Sequence, residues 1–200
     1  MEMTIAQKAN MIIGLYKDHG HQDYIGEPVS QLEHMCQSAQ LAAVAGADDE
    51  VVLAAFFHDI GHLYEHIAAV SDQELLQMDG FGLVDHELLG ARFLQQMGFS
   101  ERIAKLVASH VQAKRYLTYR QPEYYAALSH ASKETLRHQG GPMSEEEALQ
   151  FEADPLFAQY IQLRRWDELA KEEQVPIPDL SVYENMMIQH LTKQQYATQY

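Results

Sequence analysis

His58 and Asp59 stand side by side in the run Phe56-Phe57-His58-Asp59-Ile60-Gly61-His62, directly after Val51 to Phe57, the longest wholly apolar run in the chain. A neutral imidazole and a carboxylate are ligands for hard or borderline metal ions, and polar groups set against so much apolar sequence need a partner. Metal is the partner their chemistry favours. On a helix, His58 and His62 would share one face, with Asp59 beside them. His34 follows a helix start at Ser30, and His86 opens a second helical pattern. His110 rides on the apolar stripe of Ile103, Leu106 and Val107, and Asp167 follows the only tryptophan, Trp166. Any one of these alone reads more simply as a core side chain bonded to a backbone carbonyl. Together, His34, His58, Asp59, His86, His110 and Asp167 read as a metal centre.

The scarce cations point the same way. The chain carries 14 Lys and Arg against 29 Asp and Glu, a net charge of −15. Yet Lys114-Arg115 and Arg164-Arg165 each lie within five residues of a candidate ligand, His110 and Asp167. Such a cluster suits a dianionic ligand, whose oxygens Arg can grip bidentately. The competing reading is solvated surface, which is the better one for Arg115 and Arg165. Tyr24 and Glu27, followed by Pro28, fall in an irregular stretch before the Ser30 helix, where a lid would be placed. His19, His21, His66, His130, His138 and His190 read as surface or packing residues.

The elements that must position these residues are helices. Ser30-x-x-Glu33, Ser71-x-x-Glu74, Ser144-x-x-Glu147 and Ser181-x-x-Glu184 each fit a capping box. Gly46 marks a helix stop, and Asp48-Asp49-Glu50 put negative charge at the next start. A helix from about Val84 to Met97 would hold Leu89, Phe93, Leu94 and Met97 inward. Gly140-Gly141-Pro142 and Pro176-Ile177-Pro178 read as turns. No useful length of alternating sequence indicates a strand. The expectation is an all-α single domain over 1–200, with 1–29 an N-terminal helix and lid segment and 30–190 a metal-binding core. The acidic balance argues against nucleic acid and against anionic membranes as partners. No apolar run approaches the roughly 20 residues a membrane span needs, and the N-terminus lacks a secretory layout. The lone Cys36 excludes an internal disulfide, reads as a packing residue and suits a cytoplasmic location.

Over nearly its full length the chain resembles the HD-domain superfamily of all-helical metalloenzymes. Within it, the chain is similar to the small group of mixed-valent di-iron oxygenases, above all the dioxygenases that cleave the carbon–phosphorus bond of 1-hydroxyphosphonates. The resemblance lies in Asp23-Tyr24-Ile25-Gly26-Glu27, Gln31-Leu32-Glu33-His34, His58 to His62, His110 to Leu117, Gln139 to Met143 and Arg164-Arg165-Trp166-Asp167. It implies an Fe(II)/Fe(III) pair bridged by Asp59. One iron would take His34, His58 and Asp167, and the other, the site for the co-substrate dioxygen, would take His86 and His110. It further implies that Tyr24 occupies the oxygen site until substrate arrives and that Glu27 attends the substrate's amino end. His62, Lys114, Ser132 and Arg164 would hold the phosphonate. The implied reaction turns 2-amino-1-hydroxyethylphosphonate, or its N-trimethyl analogue, into phosphate and glycine or glycine betaine, with an upstream hydroxylase supplying the substrate. The long segment from Glu65 to Asp79 leans toward the methylated substrate. Two rivals use the same residues: an HD-type metal phosphohydrolase or phosphodiesterase with a metal-bound water, and a non-catalytic HD module, which typically loses ligands that this chain keeps.

Overall fold

Side-chain caps fix where most of the helices begin. In the computed structural model, which describes residues 3–24, 26–63, 66, 78–79 and 82–197, α1 (Ile5–His19) starts from a capping box of Thr4 with Gln7. The expected box of Ser30 with Glu33 opens α2 (Gln31–Val44), which stops before Gly46 at φ 75°. Asp48 then accepts from the amides of Glu50 and Val51 to start α3 (Asp49–Phe57). A 3-10 turn, Ile60–Leu63, follows. Next come α4 (His86–Met97) and α5 (Glu101–Arg120), the latter capped by Ser100. The chain continues through α6 (Pro122–Ala127), α7 (His130–His138) capped by Ser129, and α8 (Glu145–Glu152) with the Ser144–Glu147 box. It ends with α9 (Phe157–Leu169) and α10 (Ser181–Ala197). The fold is all-α. An isolated β-bridge of Asp23 with Ser30 ties down the stretch before α2.

Three local expectations change. The chain leaves the α-helix after Phe57, so His58 and His62 do not share a helical face. Ser181 is the first residue of α10 rather than its cap, because Asp179 takes the Ser181 amide at 3.0 Å. Leu89 on α4 is only half-buried, while Phe93, Leu94 and Met97 are buried as expected. The Ser71-x-x-Glu74 box and most of the segment Glu65 to Asp79 lie outside the described residues.

The core is built around α3. A helix apolar on every side is stable only when covered on every side, and all seven residues from Val51 to Phe57 are buried, with α2, α5, α9 and α10 packed around them. Phe56 stacks between Tyr16 at 4.4 Å and Tyr183 at 4.1 Å, and Phe57 meets Phe99 edge-on at 5.1 Å. The last carbonyls of any helix lack intrahelical partners; here the buried Tyr16 hydroxyl donates to Phe56 O at 2.9 Å. Beyond the turn, a Cβ on Gly61 would come within 1.8 Å of the His86 carbonyl oxygen. Only glycine lets the turn lie directly against the first residue of α4. At the other end of α3, Arg102 of α5 bonds Asp48, Glu50 and, on α9, Gln159.

Tyr16→Phe leaves the Phe56 carbonyl buried without a donor and should cost about 1–3 kcal/mol, read from the urea unfolding midpoint; an unchanged midpoint would contradict this role. The Arg102 hydrogen bond holds Asp48 below the usual carboxylate range, and bonds from Ser100 and Arg102 do the same for Glu50 against the opposing effect of burial. Both contributions are therefore full above the ordinary carboxylate pKa and are lost as pH falls through the lowered values. Arg102→Gln should destabilise by about 1 kcal/mol near neutral pH, a figure discounted for exposure, and the difference from wild type should shrink as the medium is acidified.

Candidate metal centre

The turn that ends α3 delivers two ligand types at once. His58 and Asp59 leave the helix as successive residues of the turn. Asp59 thereby reaches the middle of four imidazoles, one each from α2, the His58 turn, α4 and α5. Its two oxygens face different pairs. Oδ2 lies 3.5 Å from His34 Nε2 and 3.4 Å from His58 Nε2. Oδ1 lies 3.4 Å from His86 Nε2 and 3.3 Å from His110 Nε2. Within the pairs, the Nε2 atoms of His34 and His58 are 2.9 Å apart, and those of His86 and His110 are 3.0 Å apart. Asp167 of α9 completes the first group, with Oδ1 3.4 Å from His34 Nε2 and 3.8 Å from His58 Nε2. All six residues are at most 4 % exposed.

The outer nitrogens show which way the rings are poised. His34 Nδ1 meets Ala170 O, His58 Nδ1 meets Ala55 O and His110 Nδ1 meets Val107 O, each at 2.8 Å, and His86 Nδ1 meets Leu83 O at 3.3 Å. A carbonyl can only accept, so every Nδ1 donates and every Nε2 turns a lone pair inward. Two lone pairs at such separations repel unless a cation stands between them. Asp59 Oδ2 and Asp167 Oδ1, both buried, have no hydrogen-bond partner either. Ligands around one metal, bonded at about 2.1 Å, sit roughly 3 Å apart, so the donor spacings fit two ions sharing Asp59. The first would have four protein donors and the second three, leaving the second more open. Asp167 and Asp59 lift His34 to about 9 against the opposing effect of burial, the response of an imidazole that faces two carboxylates.

A cavity opens on this centre, lined by Asp59, His86, His110 and Asp167 and by all six residues implied as substrate contacts: Tyr24, Glu27, His62, Lys114, Ser132 and Arg164. Tyr24 stacks on His34 at 4.0 Å, so its ring stands on the side of the four-donor group. His62, in the 3-10 turn, stacks on His86 at 4.0 Å at the edge of the three-donor group, within metal-sharing reach of Asp59 and His86. Desolvation, reinforced by His86, holds it down at about 3, and it meets the cavity as a neutral imidazole. Lys114 and Ser132 are buried, and Lys114 donates to Thr135 Oγ1 at 2.9 Å. Burial, with the charge of Arg164 nearby, brings the Lys114 ammonium down to about 7.

Arg164 is more committed than the sequence indicates. It too is buried, but Nε donates to Tyr124 at 2.8 Å, Nη1 to Asp167 Oδ2 and Nη2 to Glu168. Its guanidinium therefore positions a ligand as well as facing the cavity. Arg115 is not free surface: it holds Gly141 O at 2.9 Å and Glu147 at 2.8 Å, while Arg165 is exposed. Sequence reasoning passed over a further layer. Ser129 and Lys171 both bond Glu27 Oε1, at 2.6 and 2.9 Å, and Gln31 lines the cavity with its amide oxygen unpartnered. Position is the only sequence signal for Ser129, a helix cap, and for Lys171, four residues after Asp167, whereas Gln31 lies in the stretch Gln31-Leu32-Glu33-His34 that carries the resemblance. His190 is a packing residue, stacked on Phe99 and accepting from the Ser100 amide.

The HD-domain family model matches residues 32–159. The uncharacterised protein L432 of Acanthamoeba polyphaga mimivirus is 43% identical over 189 residues, 94% of this chain and 84% of that protein. The glycine-betaine-forming dioxygenase of Leisingera caerulea, named for 1-hydroxy-2-(trimethylamino)ethylphosphonate, is 40% identical over 166 residues, covering 83% of this chain and 81% of its own. The hydroxymethylphosphonate dioxygenase of Gimesia maris is 35% identical over 185 residues, 92% of this chain and 88% of that one.

Because both groups of donors lean on Asp59, Asp59→Ala should bind neither ion, whereas His86→Ala should keep the first. Elemental analysis after anaerobic reconstitution should give about two metals per chain for wild type, about one for His86→Ala and close to none for Asp59→Ala; wild-type content in Asp59→Ala would refute the shared bridge.

Proposed function

This chain belongs to the HD-domain family, among its phosphonate dioxygenases, and we propose that it is a di-iron, oxygen-dependent enzyme that cleaves the carbon–phosphorus bond of a 2-amino- or 2-(trimethylamino)-1-hydroxyethylphosphonate. The observation that carries the reading is the pairing of a two-ion donor set with buried cations in an otherwise acidic protein. His34, His58, Asp59 and Asp167 would hold one iron, and Asp59, His86 and His110 the other. Imidazole and carboxylate donors without thiolate suit iron and leave positions open for exogenous ligands. An iron pair held by these residues would supply dioxygen activation and Lewis acidity toward the substrate's oxygens.

The protein's own part is orientation and charge. A phosphonate dianion entering beside Lys114 would restore that ammonium's charge, which burial has brought close to balance at neutral pH. Ser132 and neutral His62 add hydrogen bonds, fixing the C1 carbon in one attitude toward the metal pair. Arg164 keeps Asp167 Oδ2 occupied, so that Oδ1 alone faces the first ion. Glu27 offers a carboxylate to the cationic arm, and Tyr24 over His34 shields the centre from water before substrate binds. In the overall change, carbon gains oxygen to become a carboxylate and phosphorus leaves as phosphate. The substrate's own electrons reduce dioxygen, so no outside reductant is consumed. The hydroxyl that makes this possible must come from a prior hydroxylation of the parent phosphonate.

Iron-loaded protein mixed anaerobically with each hydroxyphosphonate and then with oxygen should consume oxygen and release phosphate in equal amounts, with glycine or glycine betaine identified by NMR. Hydrolysis of simple phosphate esters without oxygen uptake would replace this reading with a metal phosphohydrolase. Lys114→Met, close in length but uncharged, should raise KM at least about tenfold with normal iron content; an unchanged KM would remove Lys114 from the phosphonate site.

A further inference from the structure

Glu27 already holds a cation. Its side chain is 9 % exposed, and Oε1 accepts from Lys171 Nζ at 2.9 Å and from Ser129 Oγ at 2.6 Å. Lys171 lies just beyond α9 with its side chain 16 % exposed, and its second partner is Glu168 Oε1 at 3.2 Å. Glu168 in turn pairs with Arg164, and Arg164 with Asp167. Charges thus alternate from the irregular segment before α2 to the metal-facing carboxylate: Glu27, Lys171, Glu168, Arg164, Asp167. An unpaired carboxylate at the depth of Glu27 would be costly. The structure relieves it with an ammonium on a flexible stem, a group of the same kind as the arm of an amine-bearing substrate.

Resting on the functional reading above, we propose that Lys171 is a resident counter-ion in the amine subsite and the residue that sets selectivity between hydroxyphosphonates with and without a cationic arm. A cationic substrate reaches Glu27 by exchange against Lys171, so part of the attraction of Glu27 for it is spent on displacing the lysine. A substrate without that arm, such as hydroxymethylphosphonate, leaves the Glu27–Lys171 pair intact. Removing the lysine leaves Glu27 undercompensated and therefore a stronger cation acceptor, while Ser129 still orients it.

The test is anaerobic calorimetry of iron-loaded protein with 2-amino-1-hydroxyethylphosphonate and with hydroxymethylphosphonate. Lys171→Met should shift the ratio of dissociation constants about tenfold toward the amine, and Lys171→Arg should keep the wild-type ratio. In a Glu27→Gln background, Lys171→Met should produce no shift. Iron content is measured in each variant, because Lys171 also touches the Glu168–Arg164–Asp167 chain. Parallel weakening toward both ligands, an unchanged ratio, a shift that persists without the Glu27 charge, or binding of neither ligand each overturns the proposal. Because binding is read without turnover, ligands that bind with the expected ratio yet give no oxygen uptake refute the dioxygenase reading alone.

Discussion

Four imidazole lone pairs and the oxygens of two carboxylates converge on one buried volume, each imidazole locked by a carbonyl behind it in the tautomer whose lone pair faces inward. In a low-dielectric interior such an array is stable only around positive charge. Much of the fold can be read as the means of keeping it there. The apolar α3 puts the His58-Asp59 turn in the centre of the molecule, with the Tyr16 hydroxyl closing its carbonyl end. Gly61 removes a side chain that would keep α4, and with it His86, from closing on Asp59. Asp59 then serves two masters because it sits in a turn: its oxygens diverge toward separate imidazole pairs.

The ligand types and their order were legible in the sequence because buried polar residues are rare enough to stand out on apolar stripes. His110 on the Ile103, Leu106 and Val107 stripe and His86 at a helix start are such cases. The caps at Ser30 and Ser144 were equally readable, since a capping box is a local device. The relation of His58 to His62 was misjudged for the converse reason. Helical periodicity runs smoothly through the sequence, and only Gly61 hints that the backbone must change pitch to meet α4. Lys171 and Ser129 were invisible because they act through long-range partners. The Glu27–Lys171 pair joins residues 144 positions apart, and no spacing rule reaches so far. Arg164 was seen as a cation near the site, but not that three of its donors are already engaged.

Charge in this molecule is sorted by depth. The excess of acid is carried largely outside, while Lys114 and Arg164 are both 4 % exposed. Arg164 is matched by carboxylates within the chain. Among the described residues Lys114 has only the Thr135 hydroxyl as a side-chain partner, so its charge is the one that awaits an outside anion. The contrast divides the interior cations into one that builds the centre and one that greets what enters it.

The carbonyl behind three of the four imidazoles is a close neighbour in the chain. For His58, His86 and His110 it belongs to the residue three positions earlier, at Ala55, Leu83 and Val107. Tautomer choice at these positions is therefore written in main-chain atoms, which every amino acid shares. Side-chain drift at Ala55, Leu83 or Val107 can erode packing but cannot rewrite the protonation pattern of the rings. A single inserted or deleted residue inside any of those short windows would. Divergent descendants of such a chain should accordingly keep the letter count fixed there, and hold the spelling only as tightly as the packing of these buried side chains demands.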